Sequence, residues 1–106
     1  MNNENRQKAS SWTFLTNHAH VLLCLVNSPS MLMRDIAVKV GITERAVQRI
    51  IADLRDENYI TPHRDGRRNS YEINTGQHLK HSIEEHRRIA DLIRLIFDTK
   101  GSNSND

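Results

Sequence analysis

One cysteine, Cys24, is all the chain has, and it lies inside the apolar run Val21, Leu22, Leu23, Leu25, Val26. A single chain therefore holds neither a disulfide framework nor a cysteine metal cage, and Cys24 is expected in the core as a small hydrophobe. Proline occurs twice, at Pro29 and Pro62, and glycine four times, at Gly41, Gly66, Gly76 and Gly101. Each glycine falls where a periodic segment stops, so these residues punctuate the chain. No stretch approaches the roughly 20 apolar residues of a membrane span, and the polar run from Asn2 to Lys8 lacks the apolar centre of a signal peptide. A cytoplasmic location with no membrane partner is expected. A large excess of one charge is also missing: fifteen Lys and Arg face thirteen Asp and Glu, leaving +2, too little to argue a nucleic-acid partner from net charge. At 106 residues the chain has room for one domain and not for a large enclosed active site. No Ser-His-Asp, Cys-His or paired-carboxylate arrangement can be assembled from the spacing, so neither enzymatic activity nor a cofactor is expected.

What is present is periodic. Residues 1–10 and 100–106 are polar and rich in Asn and Ser, too poor in apolar groups to offset ordering entropy, and are expected as disordered tails. Trp12 and Phe14 alternate with Ser11 and Thr13 as a short extended lead-in whose aromatic pair needs a surface to cover. From about Thr16, the residues Val21, Leu22, Leu25 and Val26 follow helical spacing up to Asn27-Ser28-Pro29. Met31 to Met33 suit a one-bridge strand, and Arg34 to Val40 a short helix with Ile36, Ala37 and Val40 inward, ended by Gly41. Thr43 then caps a helix over 43–57 whose core face is Val47, Ile50, Ile51 and Leu54, while Arg45, Gln48 and Arg49 face away. Tyr59–Arg64 and Asn69–Ile73 read as two strands around an Asp65-Gly66 turn. Last, Ser82 and Glu85 form an S-x-x-E capping box, opening a helix with the apolar stripe Ile89, Leu92, Ile93, Ile96 and Phe97.

Ala37, Gly41, Val47 and Ile50 are 4, 6 and 3 residues apart, the arrangement that two helices crossing through a tight turn require. Ala37 must be small at the crossing, Gly41 takes the turn, and Val47 with Ile50 plug the second helix onto the first. A hairpin follows at once. Its tip carries Arg64, Arg67 and Arg68 within five residues, opposed by Asp65 alone. The fold expected is mostly α with a small antiparallel β-hairpin wing, a winged helix-turn-helix over 11–75 followed by a C-terminal dimerisation helix over 76–99. In that geometry the second helix enters the major groove of double-stranded DNA and the wing, 64–69, lies along the backbone or minor groove. Gln48 and Arg49 are the expected base readers, because amide and guanidinium groups make paired hydrogen bonds to base edges. Thr43 and Arg45 at the helix start, Arg34 on the preceding helix, and Arg64, Arg67, Arg68 and Asn69 on the wing are expected on the phosphate backbone or minor groove.

The segments Trp12 to His18, Asp35-Ile36-Ala37 through Gly41 to Arg49, and Gly66-Arg67-Arg68-Asn69-Ser70-Tyr71 resemble small bacterial winged-helix regulators related to the MarR and ArsR groups. The resemblance runs over residues 12–97 and implies a dimeric DNA-binding repressor or activator. It names no effector. The chain has one helix after the wing where longer MarR-like proteins have more, and it lacks the Cys pair of metal-sensing ArsR-like proteins.

Two other readings fit the residues less well. His78, His81 and His86 beside Glu85 raise a zinc hypothesis, but their irregular spacing does not share one helix face and no metal site is expected. A winged helix used for protein contact without DNA binding would present an acidic or apolar recognition face and an uncharged wing. This chain instead has Arg45, Gln48, Arg49, Arg67 and Arg68 there. The stripe Ile89, Leu92, Ile93, Ile96 and Phe97, with Trp12 and Phe14, is larger than so small a core is expected to cover, which predicts a homodimer on a palindromic operator.

Overall fold

The computed structural model describes residues 11–97, so the tails expected at 1–10 and 100–106 lie outside it. Helix α1, Asn17–Asn27, starts where the Thr16 hydroxyl accepts the Ala19 N–H at 3.2 Å and stops before Pro29. Helix α2, Met33–Val40, ends at Gly41, whose φ of +87° is the left-handed geometry glycine adopts without steric cost. Both the Gly41 and Ile42 N–H groups then close on the Ala37 carbonyl. Helix α3, Glu44–Asp56, is capped by Thr43, which accepts the Ala46 N–H at 3.0 Å. It ends in a Schellman motif. Asn58 takes φ of +67°, its N–H bonds the Arg55 carbonyl, and the Tyr59 N–H bonds Leu54 at 2.8 Å.

Strands β1, Ile60–Asp65, and β2, Arg68–Ile73, pair antiparallel from Ile60 opposite Ile73 to Asp65 opposite Arg68. The two-residue link is Gly66-Arg67, and the positive φ of +65° falls on Gly66. Helix α4, Ile89–Phe97, closes the described chain. One core unites the elements: Val21, Leu22, Cys24 and Leu25 of α1 meet Ile36 and Ala37 of α2 and Val47, Ile50, Ile51 and Leu54 of α3, with Ile60 of β1 and Ile89 of α4. Tyr59, Tyr71 and Ile73 fasten the hairpin to that core. Cys24 is buried as expected, and burial pushes its thiol pKa up.

Two expectations are corrected. Met31 to Met33 form no strand: the Met31 N–H turns back to Ser28, Leu32 is the N-cap of α2 and Met33 its first residue, and the contact to the hairpin is the Tyr71 N–H on the Pro29 carbonyl. Ser82 and Glu85 open no helix, so 76–88 is not part of a C-terminal helix. Instead His78 bridges Arg88, with Leu79 N–H on Arg87 and Ile89 N–H on Gln77, and the intervening residues form turns. Helix α4 is capped at Arg88, whose N–H is accepted by the Asp91 carboxylate at 2.9 Å, the reach-back half of a capping box.

Candidate nucleic-acid interface

The crossing of α2 and α3 uses the four expected positions: Ala37, Val47 and Ile50 are buried and Gly41 makes the turn. Anchoring α3 through Val47, Ile50, Ile51 and Leu54 leaves Glu44, Arg45, Gln48 and Arg49 on the exposed face. Charge is graded along this helix. Arg45 and Arg49 occupy its first two turns, while Asp53, Asp56 and Glu57 stand at its far end. Those three carboxylates are engaged, Asp53 by His18 at 2.9 Å, Asp56 by Arg55 at 3.1 Å and Glu57 by Lys80 at 2.7 Å. The Glu57 hydrogen bond pushes the Lys80 pKa up. By contrast, among the described residues the side chains of Arg34, Arg45, Gln48, Arg49 and Arg67 have no hydrogen-bond or ion-pair partner. The N-terminal half of α3 thus presents unpaired cations together with the positive end of its dipole.

The wing does not present its arginines equally. Arg67 at the turn is exposed and unpartnered, whereas Arg64 Nε folds back on the Gly66 carbonyl at 3.2 Å and Arg68 Nη2 donates to the Ser30 carbonyl at 3.3 Å. The projecting tip expected from three arginines is therefore chiefly Arg67. Asn69 is exposed next to it. Across the strands His63 and Glu72 meet at 3.0 Å.

Sequence reasoning missed the corner that aims the wing from the end of α3. Asn74 Nδ2 donates to the Asn58 carbonyl at 2.8 Å and to Thr61 Oγ1 at 3.1 Å, and Gln77 Nε2 donates to the same Asn58 carbonyl at 3.1 Å. An Asn just past the last apolar position of α3 was the available signal, since Asn tolerates the left-handed C′ position.

The family model of winged helix-turn-helix DNA-binding domains matches residues 16–61, from the cap of α1 into β1. The fold, three helices followed by an antiparallel hairpin and a further helix, is a winged helix-turn-helix. The matched family is one of DNA-binding domains. No curated protein matches the chain. Among solved structures it is similar to the zinc-dependent MarR family transcriptional regulator AdcR in its Zn(II)-bound state, at 24% identity and a TM-score of 0.45. That similarity covers 61% of this chain and 47% of AdcR, so the chain spans about half of that regulator.

The helices outside the motif sort the expected dimer residues. Ile89 is buried in the chain's own core and Ile93 packs against it, so neither stripe position is free as expected. Leu92 is half-buried, while Ile96, Phe97, Trp12 and Phe14 are exposed, together with Leu95 and Ile83. Trp12 and Phe14 stack edge to face with centroids 5.0 Å apart. Behind α3, a cleft of about 770 Å³ is lined by Phe14, Leu22, Leu54, Ile89 and Leu92, with His18, Asp53, Glu57 and Lys80 at its polar side. Among the described residues, no group of three or more His, Cys, Asp or Glu side chains is placed to hold a metal ion, and no helix is long and apolar enough to cross a membrane. His78 Nδ1 meets the Glu85 carbonyl at 2.8 Å and His81 Nδ1 accepts the Ile83 N–H at 3.1 Å.

Proposed function

We propose that the chain is a sequence-specific double-stranded DNA-binding transcriptional regulator acting in the cytoplasm as a homodimer on a palindromic site. The observation that carries this reading is the exposed, unpartnered set Arg45, Gln48 and Arg49 on the first turns of α3, with Arg67 at the wing tip, while the carboxylates at the far end of α3 are engaged by partners from its own chain. In the proposed complex α3 lies in the major groove. Gln48 and Arg49 read base edges, and Arg45, Thr43 and Arg34 hold phosphates. The Thr43 oxygen already caps α3, so its contribution is the hydroxyl proton and the dipole it helps to terminate. The wing lies against the backbone or minor groove with Arg67 and Asn69 outward, while Arg64 and Arg68 are held by bonds within the chain. Two copies meet through Trp12, Phe14, Leu92, Leu95, Ile96 and Phe97, and their twofold axis is mirrored in the DNA.

Repeated selection of bound duplexes from a random pool tests the proposal. Recovery of an inverted repeat with half-sites about one helical turn, roughly 34–36 Å, apart is the expected result. Recovery of no common sequence would overturn the sequence-specific reading.

A further inference from the structure

Arg68 faces Asp65 across the base of the wing turn, and from there two bonds join β2 to the α1–α2 connection. Its Nη2 donates to the Ser30 carbonyl at 3.3 Å, and three residues along the strand the Tyr71 N–H donates to the Pro29 carbonyl at 3.1 Å. One bond would leave a pivot, whereas two points separated along a strand fix its direction against the loop. The flanking arginines do not share this task. Arg64 closes on the turn itself, and the Arg67 side chain has no hydrogen-bond or ion-pair partner among the described residues. The Asn58–Asn74 corner fixes the opposite end of the hairpin to α3, so the tip is the end that still needs a tether.

We infer that Arg68 is a positioning residue, holding the wing against the α1–α2 connection and setting its angle to α3, and that Arg67 supplies the wing's phosphate contact. The planar guanidinium suits this place because it donates to a fixed carbonyl while staying ionised at every working pH. The Arg68 half is a property of the free protein. The Arg67 half rests on the DNA-binding reading.

Hydrogen exchange of the Tyr71 amide in the full chain without DNA reads the tether directly. Arg68→Ala is expected to speed that exchange by about tenfold, the scale of one missing hydrogen bond, and Arg67→Ala to leave it unchanged. Arg68→Lys, which keeps one donor on a flexible stem, is expected to restore part of the protection. All three substitutions are at exposed positions or conservative, and circular dichroism checks that each variant is folded. In binding to random-sequence duplex DNA, Arg67→Ala should flatten the slope of log affinity against log salt by about 0.9 for each phosphate that the wing no longer neutralises. Arg68→Ala should weaken binding with its slope unchanged. Unaltered Tyr71 exchange in Arg68→Ala overturns the inference, and so does a slope that flattens in Arg68→Ala as in Arg67→Ala. If the unmodified protein binds no duplex, the proposed function and the Arg67 half both fail, while the exchange measurement still decides whether Arg68 holds the wing.

Discussion

Gly41 and Gly66 carry φ values of +87° and +65°, and a Cβ built on either meets nothing within 4 Å. A side chain there would cost backbone strain alone, so Gly41→Ala and Gly66→Ala are each expected to destabilise by about 1–2 kcal/mol in denaturant unfolding, without a change in slope. Arg45 belongs to the same scale. If it holds a phosphate, Arg45→Ala lowers affinity for a selected duplex and a random one by the same factor, as a pair of binding titrations would show. Residues that act on near neighbours were legible in the sequence: Thr43 caps an N–H three positions on, and Gly41 ends the helix it touches. Arg68 was not, because its partner Ser30 lies 38 positions away and nothing local marks the pairing. Seen as sequence, Arg64, Arg67 and Arg68 are one basic cluster, and the fold separates their roles.

Helices α1, α2 and α3 and the hairpin were legible because apolar period and stop signal agree within each of them, with the Thr43 cap added for α3. Helix α4 was not. Ser82 and Glu85 have the spacing of a capping box, but the pairing of Gln77 to Leu79 with Arg87 to Ile89 holds that segment as a turn and delays the helix to Ile89. Asp91, three positions after Arg88, then performs the reach-back expected of Glu85. The Arg88 N–H bond, aided by Arg94 and Arg87, holds the Asp91 carboxyl below its usual pKa. Since the folded value lies under the unfolded one, the stabilisation is fully present at neutral pH and fades as pH falls through the folded value. Asp91→Ala should therefore be less stable than the unmodified chain at pH 7, and the gap should narrow below about pH 4. Thermal unfolding of both proteins across that range checks the sign.

For the whole molecule, the described chain leaves Phe14 91% and Leu95 72% exposed, more apolar surface at one lead-in and one helix end than a stable monomer needs to present. Sedimentation at micromolar concentration is expected to show a dimer, and Leu95→Asp with Ile96→Asp to give folded monomers, since both side chains are exposed in the single chain. How much of the apolar stripe belongs to the chain's own core was not readable from its spacing, because helical spacing marks Ile89 and Phe97 alike as apolar and only packing distinguishes them. The exposed face of α3 was more legible: once Val47, Ile50, Ile51 and Leu54 are assigned inward, Arg45, Gln48 and Arg49 have no other direction to face. The central claim, that this surface reads base sequence, is tested most directly by the ratio of dissociation constants for a selected and a scrambled duplex, measured with the unmodified chain and with Arg49→Ala. We expect a preference of at least about 10³-fold in the unmodified chain, reduced in Arg49→Ala by about 1–3 kcal/mol, roughly five- to 150-fold. Equal weakening on both duplexes would contradict the account and make Arg49 a phosphate contact.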